Sequence, residues 1–250
     1  MNLGGMRSPH FAGRGEDLVL AVPIGATEQH GPHLPLDTDT AIAAELCRRL
    51  ATQVTDIVVA PAIPYGSSGE HAGFPGTLSI GHDALELLLV ELVRSADHFH
   101  GVVLVNAHGG NHQPLRHAAR TLHAEGRRVL AWSPSSAPGD DSHAGHTETS
   151  VMLRLRPEDV VPELAEPGNT QPLSGLMGRL RTHGVAAVSP NGVLGDPTGA
   201  DPGHGETVLR RWTGSLVTEV TRWMGAAADG PSRGDARCAD PHLTPKRSGG

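Results

Sequence analysis

The chain has 250 residues, with 20 Lys and Arg against 27 Asp and Glu, a formal net charge of -7. That length suits one α/β domain with an ample core better than two small ones. The sequence has no basic stripe and no run of about 18 apolar residues, which argues against nucleic acid, an anionic membrane surface or a transmembrane helix as partner or anchor.

Residues 1–15 are rich in glycine and read as a flexible N-terminus. They lack the basic-then-apolar order of a secretory leader, so the expected compartment is the cytoplasm. An apolar run at 18–24 suits a strand buried on both faces. Ala43, Leu46, Cys47 and Leu50 then recur at helical spacing, followed by a second apolar run at 57–60. Leu85, Leu88, Leu89, Leu92, Val93 and Ala96 predict a three-turn helix, 101–105 a third strand, and Leu115, Ala119 and Leu122 a shorter helix. A fourth strand follows at 129–132. The segment 157–205, rich in Pro and Gly, reads as long loops near a rim. Leu209, Trp212, Leu216, Val220 and Trp223 predict a long last helix, and 226–250 a disordered tail. This alternation implies a three-layer α/β/α domain over 16–225 with a mainly parallel sheet. Two cysteines, Cys47 in a helix and Cys238 in the tail, make no disulfide framework and read as plain thiols.

Ligands of open parallel sheets bind beyond the carboxyl ends of the strands. Four polar, glycine-rich clusters follow the four strands directly, at 27–39, 65–71, 106–111 and 143–148, and so converge on one cleft. With 16 His and only 3% aromatics, that cleft suits metals better than stacked bases. Glu28 and His30, two apart in extended chain, face the same side. Asp37 and Asp39 each suit a helix cap, and Asp39 could instead swing into the cleft to bridge two cations. His108 at a strand end reads either as a metal ligand or as a brace for its turn, with Asn106 and Asn111 bracing the loop.

Glu148, in the first turn of a helix that Ser142 or Thr147 could cap, fits the helix dipole, or else acts as ligand or general base. His143 could be the acid that protonates a leaving amine. Ser67 and Ser68 read as substrate contacts or turn formers, and Gly109 and Gly110 allow close approach of substrate. Imidazole and carboxylate without thiolate suit Zn²⁺, Mn²⁺ or Fe²⁺. Two ions about 3.5–4 Å apart sharing a carboxylate would activate water and polarise a carbonyl, which points to hydrolysis of an amide-like bond. No phosphate-binding loop, dinucleotide fingerprint or serine nucleophile elbow competes with that reading.

Gly25-Ala26-Thr27-Glu28-Gln29-His30-Gly31-Pro32-His33-Leu34-Pro35-Leu36-Asp37-Thr38-Asp39 resembles the creatininase family. So do Asn106-Ala107-His108-Gly109-Gly110-Asn111, the stretch from His143 to Ser150, and Gly192-Val193-Leu194-Gly195-Asp196-Pro197 followed by Gly205-Glu206. The resemblance implies a creatininase-like fold and selects Asp39 over Asp37. It gives Glu28, Asp39 and His108 one ion and His30 and Asp39 another, with one or two ions per subunit, Fe²⁺ or Zn²⁺ ahead of Mn²⁺. The family's name-giving enzyme carries an aromatic residue and then a glutamate ligand where this chain has Gly109 and Gly110, so a second ion would draw on Glu148 or water. The stretch from Tyr65 through Gly69-Glu70-His71 to Ile80 is most similar to peptidases of the family. These release a C-terminal Val-Tyr dipeptide from a modified precursor peptide during redox-cofactor biosynthesis. A cyclic amide or a formamide is the alternative substrate. The family also implies a homo-oligomer.

Overall fold

The computed structural model describes residues 1–226. The tail expected over 226–250, apart from its first residue, lies outside the described residues, as does Cys238.

Four parallel strands form one sheet: β1 (Val19–Ile24), β2 (Ile57–Val59), β3 (Gly101–Asn106) and β4 (Val129–Trp132), in the order β2-β1-β3-β4. Successive residues of a strand point to opposite faces, and here both faces are apolar. Val19 and Ala21 pack with Val103 and Val105 against α1 (Thr38–Gln53), α4 (His146–Leu155) and α6 (Pro202–Gly225). Leu20, Val22 and Ile24 pack with Val102 and Leu104 against α2 (His82–Ser95) and α3 (His112–Ala124). Burial on both sides explains the uninterrupted apolar runs, and each fully buried Leu or Ile contributes about 1.5–3 kcal/mol. The expected three-layer α/β/α architecture is the observed one.

Strand order decides where the site lies. From β1 the chain crosses to β2 on one side, then returns to place β3 on the other. The crevice opens where the order reverses, between the carboxyl ends of β1 and β3.

Two segments differ from a plain reading of composition. Residues 1–17 form three short 3-10 turns, and the Met1 amino group donates to the Ile57 carbonyl at 3.0 Å while Val59 N–H donates to Met1 at 2.7 Å. The segment thereby covers the edge of β2. The stretch 157–205, expected as loops alone, contains helix α5 (Leu173–His183). Leu176 and Leu180 bury it against Val185, Val188 and Leu194 in a small separate cluster. Gly175 and Gly178 weaken the helix's intrinsic propensity, so its existence rests on that tertiary contact.

Candidate metal centre and cleft

After β1 the backbone stays extended and then folds back: Glu28 N–H donates to the Leu36 carbonyl at 2.9 Å, and His30 bridges Leu34. The reversal at Gly31 has φ +67, and a Cβ there would lie 2.7 Å from Val193 and 2.9 Å from the His33 ring, so only glycine fits. Glu28 and His30 face one point, each fully buried. Of the two aspartates that follow, Asp37 sits at the helix boundary without capping it and instead pairs with Arg156 at 2.8 Å. Asp39, one position into α1, is turned inward at 2% exposure.

Beyond β3, Asn106 accepts from His108 N–H, donates to the His108 carbonyl at 2.8 Å and is bonded by Asn111. Asn111 in turn ties Gly25 to Ser67. Both asparagines thus brace the loop, and His108 is held with Nδ1 3.2 Å from Glu28 and 3.1 Å from Asp39. On the other side of Asp39, His30 Nε2 lies 3.3 Å from Oδ1 and 3.8 Å from Glu148 Oε2. Glu148 is aimed by the Ala144 N–H, which donates to it at 2.7 Å from a backbone held at φ +52, a strained value for a residue other than glycine. The cap of α4 is neither Ser142 nor Thr147. Asp141 accepts from the N–H groups of His146 and Thr147, and Gly145 and Gly195 leave the space its carboxylate fills.

Among the described residues, three groups of side chains bring ligand atoms within 4.8 Å of one another: Glu28, Asp39 and His108; His30, His143 and Glu148; Glu28, His71 and His143. The residues fit a metal. Both carboxylate oxygens of Glu28, Oδ2 of Asp39 and Nε2 of His30 are buried without a hydrogen-bond partner among the described residues, although nitrogens and oxygens stand 3–4 Å apart. Close approach without hydrogen-bond alignment is what atoms converging on a cation produce, and such groups are costly when left unsatisfied.

The electrostatics agree. Burial disfavours a charged His30, yet Asp39, Glu148 and Glu28 outweigh it and raise its pKa to about 10. Burial likewise opposes charge on His108, which Glu28 and Asp39 nevertheless raise well above the usual imidazole range. Asp39 resists desolvation in turn and is held far below the ordinary carboxylate range by His30 and His108. This is a field that attracts cations. Glu148 is pushed up to about 7 by burial and the nearby Asp39 charge, whereas burial keeps His71 and His143 neutral at about 3.

Above the cluster lies a cleft of about 1070 Å³, lined among others by Ser67, Gly109, Gly110, His143 and Glu148. Ser68 differs from its expected role: it is fully buried, its N–H bonded to Ser79 and its hydroxyl 3.5 Å from His108 Nε2, so it lies behind the wall rather than facing substrate. At Gly110 a Cβ would meet the Ser67 carbonyl at 2.2 Å and Glu70 at 2.4 Å, so this glycine serves close packing of the 65–71 loop on His108. Gly109 is open. His71, Glu70 and Gln29 also enter the site, and none was singled out from sequence. His71 is carried by the 3-10 turn Gly69–His71, too short to give a periodic signal.

A parallel α/β domain with a buried, unsatisfied carboxylate–imidazole cluster at its topological switch point defines a metal-dependent hydrolase. The family model for creatinine amidohydrolase matches residues 5–220, and the chain belongs to the creatininase family. It is 51% identical over 212 residues to the mycofactocin precursor peptide peptidase of Mycolicibacterium smegmatis, covering 82% of this chain and 85% of that protein. Among solved structures, a mutant creatininase of "Zn-Zn type" matches with TM-score 0.75 and 25% identity, over 88% of this chain and 97% of the other. A manganese creatininase matches with TM-score 0.73 and 26% identity, over the same shares.

Proposed function

We propose that this protein is a metal-dependent peptidase that releases a C-terminal Val-Tyr dipeptide from a modified precursor peptide of the mycofactocin type. The observation that carries the reading is the open cleft of about 1070 Å³ above the cluster, which is more room than one small ring requires. The similarity to the mycobacterial peptidase supports the choice of a peptide over a cyclic amide or formamide.

In this reading Glu28, Asp39 and His108 would hold one divalent ion, and His30 and Asp39, completed by water, a second. Bound there, such ions supply Lewis acidity toward water and the scissile carbonyl. Fe²⁺ and Zn²⁺ suit this mixed set of ligands. Glu148, held beside the cluster by the Ala144 N–H, takes the proton of the attacking water and returns it to the departing amine as the C–N bond breaks. Arg116 on α3 and Arg181 on α5 line the cleft, and neither pairs with a carboxylate among the described residues. They provide the counter-charge for the terminal carboxylate of the peptide. Leu36, Tyr65 and Leu78 are 38%, 47% and 54% exposed on neighbouring loops and form the surface through which we expect copies of the chain to assemble.

The deciding experiment is mass spectrometry of the modified, Val-Tyr-ending peptide incubated with protein and Fe²⁺, Zn²⁺ or Mn²⁺. Release of the dipeptide, lost with chelator and with His108→Ala, is the expected result. A peptide left intact under every metal overturns the reading and directs attention to cyclic amides and formamides.

A further inference from the structure

Gln29 stands between Glu28 and His30, so its side chain leaves the extended backbone on the opposite side. It is 5% exposed, and all its polar atoms are engaged. Oε1 accepts from Gly31 N–H at 2.9 Å, which settles which end of the amide is oxygen. Nε2 therefore carries two hydrogens, and it has three neighbours: the Gly192 carbonyl at 3.0 Å, His71 Nδ1 at 2.9 Å and His143 Nε2 at 3.1 Å. The third cannot receive one. His143 Nε2 also lies 2.9 Å from the backbone carbonyl of Gln29, which only accepts, so that nitrogen bears the ring proton. The two amide hydrogens go to Gly192 and His71. Gly192, at φ +83, is indispensable to the arrangement, because a Cβ there would fall 1.8 Å from Gln29 Oε1.

We infer that Gln29 is a positioning residue that sets the tautomers of two histidines through two different groups. Its side chain makes His71 Nδ1 an acceptor and puts the ring proton on Nε2, which faces Glu28 Oε1 at 3.3 Å. Its backbone carbonyl puts the proton of His143 on Nε2 and leaves Nδ1 bare toward the cluster, 3.9 Å from Glu28. Of the three side-chain groups able to gather around an ion, the one containing His71 is thus closed, because its Nε2 is protonated. His71 instead orients a metal-binding carboxylate from behind, a kind of contact whose loss commonly lowers metal affinity by about 10–100-fold. The inference concerns the metal centre and holds whatever the substrate is.

The test compares the wild-type protein with Gln29→Glu, Gln29→Met and Thr77→Val, each loaded with Zn²⁺ or Co²⁺. Gln29→Glu keeps the shape and the acceptor but removes both hydrogens. Gln29→Met is uncharged and serves if the glutamate is not tolerated. Thr77→Val removes the hydroxyl bonded to Gln29 N–H at 3.0 Å and leaves the amide alone. In both Gln29 variants the proton of His71 is free to move to Nδ1, and the released Nε2 joins the metal. The expected readouts are a changed Co²⁺ visible spectrum and one additional imidazole counted by Zn²⁺ X-ray absorption. Thr77→Val should match the wild type. Co²⁺ spectra of both Gln29 variants that superimpose on the wild type overturn the inference. So does a wild-type imidazole count that drops by one in His71→Asn, which would mean that His71 already binds the metal.

Discussion

The floor and the rim of the cleft are built on opposite terms. On the floor, Glu28, His30, Asp39 and His108 are 0–4% exposed; Asp39 is fixed in the first turn of α1, and the others sit on loops tied down by Asn106, Asn111 or the Gly31 turn. On the rim, Arg116, Arg181 and Gly109 are exposed. A chemical step tolerates little misplacement and needs the first arrangement, while choice among substrates is served by side chains that can change without disturbing a core. One fold can therefore keep its chemistry and exchange its substrate.

The sharpest way to break this contrast is on the floor. Removing metal with chelator, or substituting His108→Ala, should lower kcat/KM on the peptide by more than about 10³-fold with the fold retained by circular dichroism. A protein without the His108 ring that keeps most of its turnover would make the cluster structural. Glu148→Gln comes next: kcat should fall by about 10²–10⁴-fold while KM changes little, the pattern of a lost proton carrier.

Proton competition tests the floor without substrate. In the metal-free protein His30, with a pKa near 10, carries a proton at pH 7, as does His108. A divalent ion must displace those protons, so binding releases them and affinity rises with pH through the neutral range. The gain should be about tenfold per unit for each displaced proton, levelling only near pH 10. Calorimetry in buffers of different ionisation enthalpy measures the release, and a pH-independent affinity contradicts it.

Gly110→Ala probes the seam between floor and rim. Its Cβ would press on the Ser67 carbonyl and His108, and it should cost about 1–3 kcal/mol in a denaturant titration. Arg116→Ala and Arg181→Ala should have the smallest effect. KM should rise about two- to fivefold for the peptide with a free carboxylate and stay unchanged for its C-terminal amide, in keeping with an exposed ion pair. An equal loss on both peptides would remove these arginines from substrate reading.

Much of the floor was legible in the chain. Glu28 and His30 share a side because extended backbone has a period of two, and Asn106 and Asn111 flank His108 closely enough for local bracing to be foreseen. The resemblance chose Asp39 over Asp37, and the structure shows the physical reason: Arg156, 119 residues away, takes Asp37 outward. The cap of α4 was sought in Ser142 or Thr147, the usual small polar residues, because the space that admits Asp141 comes from Gly145 and from Gly195, far along the chain.

By itself the sequence determined the strand–helix alternation, the parallel sheet and the edge at which polar clusters gather, because hydrophobic periodicity and strand direction are local properties. Only the tertiary structure decided that His71 joins the cluster, that Ser68 stands behind it, that α5 forms, and that Gln29 reaches both His71 and His143. The Gln29 contacts among these join residues 42 to 163 positions apart. A hydrogen bond of 3 Å is decided by the packing of whole elements, and no short pattern in the chain encodes it.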